Sequence, residues 1–376
     1  LRAQIYKLKK QFFNYNSLKF NIINIYFYQK SFLMNFSNRL LLWYDKNKRH
    51  LPWRETHNPY AIWLSEIMLQ QTRVAQGLPY YLKFIESFPT VFDLANADEE
   101  QVLKLWQGLG YYSRARNLHQ TAQKISFEYD GNFPNNYKEL LKLKGVGEYT
   151  AAAIASISFD EAVPVVDGNV FRVLARYFAV ETDILSAKAK NEFTNLAFEL
   201  LDKKNPAQFN QAIMEFGALQ CVPANPDCEK CIFNTDCQAF LLNRVAEFPV
   251  KIKKTKIKNR YLHYLVFRDL KNKTLANKRT GNGIWKNLYE FPVLETNEEV
   301  TFSVISQQIK EQFTNVKDVV LFNQDKILHK LSHQHLHIWF FDVELNEVLP
   351  NGMDISEVSK LPTPIVIHNF LEEYFK

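Results

Sequence analysis

Residues 143–169, LKGVGEYTAAAIASISFDEAVPVVDGN, decide the fold. Leu143 reads as the end of one helix. Lys144-Gly145-Val146-Gly147 reads as a hairpin, and a second helix starts at Glu148. That helix continues Tyr149-Thr150-Ala151-Ala152-Ala153-Ile154-Ala155, small and apolar enough for close packing. Gly145 and Gly147 permit backbone angles closed to other residues and let a partner approach the main chain. The unpaired N–H groups of the new helix then form an anion site, and a DNA phosphate is one candidate anion. The stretch ends in a lone acid, Asp167, before Gly168, Asn169 and an apolar-periodic run from Val170 to Phe178. Asp167 therefore sits where a third helix begins, and there the helix dipole favours the carboxylate.

A plain helix–turn–helix with an Asp cap fits the same spacing, because GxG turns and Asp caps are common. The order of the two signals points elsewhere. A hairpin followed by V-D-G-N resembles the helix–hairpin–helix, Gly/Pro-Asp superfamily of DNA glycosylases.

The rest of the composition bounds this reading. The 376 residues are enough for two domains and two cores. A formal net charge of +6 is compatible with nucleic acid without requiring it. No run is apolar over the roughly 18 residues that a membrane span needs. Residues 1–33 are rich in Lys, Asn, Gln, Tyr, Phe and Ile and lack Gly and Pro. They match neither a secretory signal nor a transit peptide. The expectation is a disordered extension or a start assigned too far upstream, with Met34 as the true beginning. A real basic arm is the competing reading.

From Met34 to Asp236 the periodicity is helical throughout. Met34–Lys48 is expected to be a helix, with Leu40, Leu41, Leu42 and Trp43 as its apolar side. Further helices are expected over Tyr60–Thr72, Gly77–Glu86, Glu99–Trp106, Ser113–Tyr129, Ala187–Leu201 and Pro206–Leu219. Residues 34–243 thus read as one all-α domain. Residues 244–260 are basic, contain Pro249 and lack a bulky periodic face, which reads as a linker. Residues 261–376 read as an α+β domain. Strands are expected at Tyr261–Phe267, Val316–Phe322 and His337–Leu345, and helices at Ser303–Phe313 and Ile367–Phe375.

Two constellations carry chemistry. All four cysteines, Cys221, Cys228, Cys231 and Cys237, fall within the loop 221–237. Clustered cysteines in a chain without an export signal argue for a metal over disulfides. Structural zinc usually takes two close pairs, and only Cys228 and Cys231 form one. The C-x6-C-x2-C-x5-C spacing instead resembles the 4Fe–4S loop of endonuclease III and its relatives, which implies an iron–sulfur cluster held by four thiolates. Lys230 would then lie on an exposed side of a loop suited to a phosphate backbone.

The second constellation is Ser65 to Thr72, with Glu66 beside Trp63, Ile67 and Met68. Taken alone, Glu66 reads as a solvated helix residue. In an apolar neighbourhood, burial would raise its pKa. A protonated Glu66 facing an ionised Asp167 would be a divided pair of the kind that cleaves glycosidic bonds through an oxocarbenium-like state.

Together these motifs resemble the adenine DNA glycosylases of the MutY type. The matching text is Leu51-Pro52-Trp53-Arg54, Ser65 to Thr72, Gly108 to Arg114, Gly145-Val146-Gly147 with Tyr149, Val166 to Val170, and the cysteine loop. The resemblance implies that Glu66 protonates adenine at N7 and that Asp167 stabilises the sugar cation. It implies that Tyr149 and Asn169 support Asp167, and that Trp53 and Arg54 belong to the adenine pocket. Gln71, Leu109 and Tyr111 fall where the family wedges the duplex open, which is needed because the target atoms are buried in the stack. Endonuclease III-type enzymes use a lysine where this chain has Tyr149, and that amine forms a Schiff base that cuts the strand. The implied enzyme is therefore monofunctional, with weak lyase activity available from Lys142 or Lys144.

In the family the C-terminal half is a Nudix-like domain that reads 8-oxoguanine opposite the adenine. Gly283 to Pro292 resembles its signature turn and strand. The next helix, SVISQQIKEQF, lacks the glutamate pairs of a hydrolase. Leu331-Ser332-His333 stands where the family has Phe-Ser-His, so Ser332 and His333 keep the hydrogen-bonding groups. His333, His335 and His337 alternate onto one strand face, read as exposed to solvent or DNA rather than as a metal site. The implied partner is double-stranded DNA with adenine opposite 8-oxoguanine or guanine, met by a monomer in the cytoplasm on the bacterial nucleoid. Three rivals remain: a bifunctional glycosylase/lyase, a non-catalytic lesion-binding protein and, weakest, a Nudix hydrolase.

Overall fold

The computed structural model describes residues 22–252 and 257–374, with backbone alone for 22–34. Two compact units result: Leu1–Ile67 with Asn132–Lys253, and Met68–Gly131 with Lys254–Lys376. Each unit is therefore assembled from two separate stretches of chain.

The first unit is all-α. It contains α1 (Ile22–Asn47), a 3₁₀ turn at Pro52–Arg54, most of α2 (Pro59–Leu69), α7 (Tyr137–Leu140), α8 (Glu148–Phe159), α9 (Gly168–Phe178), α10 (Ala187–Leu200), α11 (Pro206–Leu219) and α12 (Gln238–Leu241). Helix α1 begins upstream of Met34, inside the stretch expected as an extension. Residues 1–21 of that stretch lie outside the described residues. Leu40 and Trp43 are buried as expected, but Leu42 is exposed. A helix turns about 100° per residue, so four consecutive apolar residues cannot all face one core. Phe36, Tyr177, Phe216 and Phe233 form an aromatic cluster, with Phe36 and Phe233 stacked at 4.5 Å. Phe233 lies between two of the cysteines, so this cluster fixes the cysteine loop to α1 and α9.

The expected linker is packed over its first part. Phe248 is buried, and Arg176 donates to the carbonyls of Val245 and Phe248, both at 3.1 Å. Burying Phe248 and satisfying two backbone carbonyls is worth more than leaving this segment solvated. Residues 253–256 lie outside the described residues.

The second unit contains α3 (Val74–Ser87), α4 (Val91–Asn96), α5 (Glu99–Leu105) and α6 (Ser113–Glu128), followed by the C-terminal sheet. Its strands are β1 (Lys258–Arg268), β2 (Asn277–Lys278), β3 (Tyr289–Glu290), β4 (Val293–Thr296), β5 (Val316–Leu321), β6 (Ile327–Lys330) and β7 (Gln334–Leu345). The main sheet has the order β4-β1-β7-β5, with β6 also paired to β7. Among the described residues only the β1–β7 pair is parallel, so the sheet is mixed. β2 and β3 form a small separate ribbon. Helices α13 (Phe302–Gln312), α14 (Ile355–Lys360) and α15 (Ile365–Tyr374) complete the unit. Ile305 and Ile309 of α13 pack with Leu265, Phe267, Phe341 and Val343. Phe340 stacks on Phe370 of α15 at 4.1 Å. β1 is buried continuously over Leu262–Phe267, whereas β7 alternates buried and half-buried residues, and both patterns were visible in the sequence. β3 falls in the turn and strand expected at Gly283 to Pro292, whereas the short β2, β4 and β6 were not expected. Among the described residues no helix is long and apolar enough to cross a membrane.

Candidate active site

The first unit brings Trp53, Arg54, Glu66, Tyr149, Asp167 and Asn169 into the all-α body. Glu66, near the end of α2, is buried. Its Oε2 is buried without a hydrogen-bond partner, while the Tyr149 side chain bonds to the carboxyl. Burial pushes the Glu66 pKa up to about 7, the Asp167 carboxylate adds to this, and Tyr149 and Arg54 pull it back. Burial, with Glu66 and Asp167 close by, holds the Tyr149 phenol well above its ordinary range. Tyr149 therefore stays a donor, and its hydroxyl also reaches Met214 Sδ at 3.5 Å.

Asp167 caps α9. Its Oδ1 accepts from the Val170 N–H at 2.8 Å and its Oδ2 from Asn169 Nδ2 at 2.8 Å. Asn169 is oriented in turn by Arg172, whose Nη2 donates to Asn169 Oδ1 at 2.8 Å and to the Gly217 carbonyl at 2.6 Å. A Cβ on Gly217 would come within 2.7 Å of Asn169 Cβ, so only glycine lets α11 approach here. Upstream of Asp167, Asn210 holds the extended approach. It accepts from the Val165 N–H at 3.0 Å and donates to the Val163 carbonyl at 2.8 Å.

The dipole argument alone placed Asp167 on the ionised side. In the folded chain burial raises its pKa, opposed by the Val170 and Asn169 donors and by Arg172. The two acids still divide. Asp167 has several donors that favour its anion, whereas Glu66 has one donor and an orphaned oxygen. The proton belongs on Glu66. Such a pair can donate a proton on one side and stabilise a cation on the other.

Trp53 is buried in the 3₁₀ turn. Arg54 is committed to Glu215 of α11, with Nη1 at 2.8 Å from Oε1 and Nη2 at 2.7 Å from Oε2. Arg49 grips the same carboxylate through its backbone N–H at 3.0 Å and Nε at 2.8 Å. Burial works against the Glu215 anion, but Arg54 and Arg49 outweigh it and bring the pKa down to about 2.

Gly145 takes φ 77° and Gly147 is the N-cap of α8. Both are exposed, and nothing lies within 4 Å of a Cβ added at Gly147. The hairpin thus presents open backbone. Glu148, at the start of α8, is paired with Lys190.

The four cysteines are unpaired with one another and line one cavity with Arg176 and Phe233. Burial pushes Cys231 up to about 12 and Cys237 to about 11, and each also feels the other thiols of the loop. Arg176 Nη1 approaches Cys221 Sγ at 3.5 Å and the Phe233 N–H approaches Cys231 Sγ at 3.4 Å. Among the described residues no three such side chains close tightly enough for a single metal ion. A multinuclear cluster is wider than one ion, and four thiols lining one cavity with an arginine beside them fit its anionic ligand set.

The second unit carries the remaining predicted residues. Gln71 and Tyr111 are exposed, with φ of 56° and 48°. Arg114 of α6 ties their loops together: Nη1 donates to the carbonyls of Met68 at 2.9 Å and Gln70 at 2.7 Å, and Nη2 to that of Gly110 at 3.1 Å. Leu109, grouped with them by the resemblance, is buried. The left-handed glycines Gly108 and Gly110 turn it inward. Ser332 and His333 are exposed at the turn between β6 and β7, where Ser332 Oγ meets His333 Nδ1 at 3.2 Å and Gln334 Nε2 meets His333 Nε2 at 3.0 Å.

Comparison with known proteins bears on the family and the fold. Residues 64–198 match the HhH-GPD superfamily of base excision DNA repair proteins, and residues 263–373 match the NUDIX domain. The adenine DNA glycosylase of Buchnera aphidicola subsp. Baizongia pistaciae is 34% identical over 88% of this chain and 94% of its own. This chain belongs to the adenine DNA glycosylase family. It is a base excision repair enzyme, a DNA N-glycosylase that removes adenine. The human adenine DNA glycosylase is 46% identical over 54% of this chain and 39% of its own. A thermostable thymine-DNA glycosylase structure aligns with TM-score 0.52 and 30% identity, covering 57% of this chain and 97% of that one. An endonuclease III–DNA covalent intermediate shares the fold, with TM-score 0.50 and 21% identity over 57% of this chain and 98% of that one.

For an adenine glycosylase, sequence reasoning missed four residues around the acids: Arg49, Glu215, Arg172 and Gly217. Arg172 was findable, since it lies one helical turn after Asn169 and so faces the same side. Glu215 carried no signal of its own, because its partners come from the far end of the unit.

Proposed function

We propose that the enzyme removes adenine opposite 8-oxoguanine or guanine from double-stranded DNA, acting as a monomer on the nucleoid in a bacterial cytoplasm. The observation that carries the mechanism is the division of the two acids. Glu66, buried and half-satisfied, keeps its proton near neutral pH and delivers it to N7 of an adenine flipped from the stack. The glycosidic bond then breaks, and its electron pair leaves with the base. Asp167, held by Asn169 and the Val170 N–H, stabilises the sugar cation until water adds.

Tyr149 takes the place at which a lysine would make the enzyme bifunctional. A phenol cannot form a Schiff base, so the product is an intact strand with an abasic site. Cys221, Cys228, Cys231 and Cys237 would hold a 4Fe–4S cluster whose part is to fix the loop that carries Lys230. The open hairpin at Gly145 and Gly147 supports a backbone phosphate. Gln71 and Tyr111 support the wedge, and the exposed Ser332–His333 turn supports reading of the opposite base. The NUDIX-like half reads and does not hydrolyse, since α13 lacks paired glutamates.

Single-turnover reaction of a duplex with adenine opposite 8-oxoguanine, worked up with and without alkali, tests this. Breaks only after alkali are expected. Breaks without alkali would replace the monofunctional reading, and tight binding without excision would overturn the assigned pair.

A further inference from the structure

Two arginines two positions apart on α6 serve different parts of the second unit. Arg114 holds the loops that present Gln71 and Tyr111. Arg116 donates from Nη1 to the Lys286 carbonyl at 2.8 Å. Lys286 sits between Trp285 and Asn287, which take φ of 61° and 65°. Side chains rarely adopt this left-handed region, and such residues persist only where neighbours hold them. The neighbours here are helical. Asn287 Nδ2 donates to Glu99 Oε1 at 2.6 Å, and the Tyr289 hydroxyl and Lys278 Nζ both donate to Glu100 Oε1 at 2.8 Å. Lys104 Nζ reaches the carbonyls of Ser359 at 2.6 Å and Leu361 at 3.1 Å. Glu99, Glu100 and Lys104 all belong to α5.

These bonds fix position more than they stabilise. Three of the acceptors are backbone carbonyls, which set register. The Lys278–Glu100 pair is partly exposed, and such pairs add little stability. The outcome is a path within one unit: His329 on β6, three residues before Ser332, meets the Trp285 ring at 5.9 Å, and from that strained loop Arg116 leads to the start of α6. There Arg114 takes over and holds Gln71 and Tyr111.

We propose that Arg116, with Glu99 and Glu100, is a positioning latch that ties the lesion-reading domain to the wedge loops, so that the base opposite the adenine governs how readily the duplex is opened. The inference rests on the lesion-reading role given to Ser332 and His333 above.

The test compares full-length enzyme with Arg116→Ala, Arg116→Lys and the Ser332→Ala/His333→Ala double variant. Excision is measured on adenine opposite 8-oxoguanine and opposite guanine. Duplex opening is followed by the fluorescence of 2-aminopurine placed at the target. For Arg116→Ala the rate preference for 8-oxoguanine should fall about tenfold, with excision opposite guanine within about twofold of the parent. The fluorescence advantage of the 8-oxoguanine duplex should fall with it, and Arg116→Lys, which can still reach the carbonyl, should restore most of both. Should Arg116→Ala fail to fold, Glu99→Ala removes the Asn287 anchor and is expected to act in the same direction. An equal fall on both duplexes would reduce the latch to a structural contact and overturn it. If the double variant loses its preference while Arg116→Ala keeps it, the latch is wrong and the lesion reading stands. If neither variant loses preference, the lesion reading itself is wrong.

Discussion

The Asn169 carboxamide donates to Asp167 Oδ2 at 2.8 Å and is itself oriented by Arg172 at 2.8 Å. The arrangement fixes which way the Asn169 amide faces, so its NH₂ points at the acid. Asn169→Ala removes one of the donors that favour the anion and lets Asp167 rotate. Excision should slow by about 10–100-fold, since a charge-assisted hydrogen bond contributes roughly 1.5–3 kcal/mol. Mispair binding should change little. Asp167→Asn should abolish excision and also leave binding largely intact. Equal loss of binding and excision in a gel-shift and single-turnover comparison would mean that Asp167 is not the catalytic anion.

Glu66 makes excision pH-dependent in a definite direction. Its raised pKa keeps the proton up to about 7, so the single-turnover rate should fall as pH rises through that value. Glu66→Gln should slow excision by about 10²–10⁴-fold and remove the alkaline limb. The same shift bears on stability. The folded chain binds this proton more tightly than the unfolded chain, so its contribution is complete below the ordinary carboxyl pKa of 4.5 and is lost as pH rises through about 7. In Glu66→Gln, urea midpoints should vary less over that window than in the parent. An identical pH profile for the two would dismiss Glu66 as the buried acid.

How much of this was legible depends on whether a residue's role is local. Gly145, Gly147 and Asp167 announce themselves, because a left-handed turn and a helix cap are set by residues within one turn of chain. The burial of Glu66 was not local. A solvated Glu was the better reading of its neighbours alone, and its pKa rises only through burial by the folded unit, with a smaller push from Asp167 at the start of α9. Glu215 is further out of reach, since Arg54 and Arg49 lie 161 and 166 residues before it. The burial of Leu109 was likewise not legible, since the positive φ values of Gly108 and Gly110 on either side of it are not encoded in the letters. The first part of the linker was misjudged because the two carbonyls that fix it are held by Arg176, far upstream.

The cysteine loop gives a prediction with its own readout. Arg176 Nη1 and Nη2 donate to the carbonyls of Val222 at 2.7 Å and Pro223 at 2.9 Å. The loop backbone is thus braced from α9, and the four half-buried thiols, to act as anionic ligands, would need a cationic centre between them. Cys231→Ala should lower bound iron and sulfide measured chemically on purified protein. Unfolding stability should fall by about 3 kcal/mol or more, the amount expected when a ligand held far above its dissociation constant is lost. Unchanged iron content would mean that Cys231 is not a ligand.

The last prediction concerns the Arg49–Glu215–Arg54 triad. Glu215 is 1% exposed and holds two guanidinium groups, and its pKa near 2 keeps it ionised throughout the working range. Glu215→Ala would leave both arginines without their anion in a largely enclosed site. Removing one partner of a buried pair typically costs about 3–5 kcal/mol, and the partial exposure of Arg49 argues for the lower end. A second effect follows from the position of Arg54, whose charge now helps hold the Glu66 pKa down. Freed from Glu215, Arg54 can swing towards Glu66 and favour its anion. The alkaline limb of the rate profile should then move to lower pH, with less active enzyme at neutrality. Glu215→Gln keeps the volume and part of the hydrogen bonding, so it should retain more stability while still shifting the limb. A profile that stays in place in a folded Glu215→Gln variant would show that the triad is a structural brace with no hold on the acid.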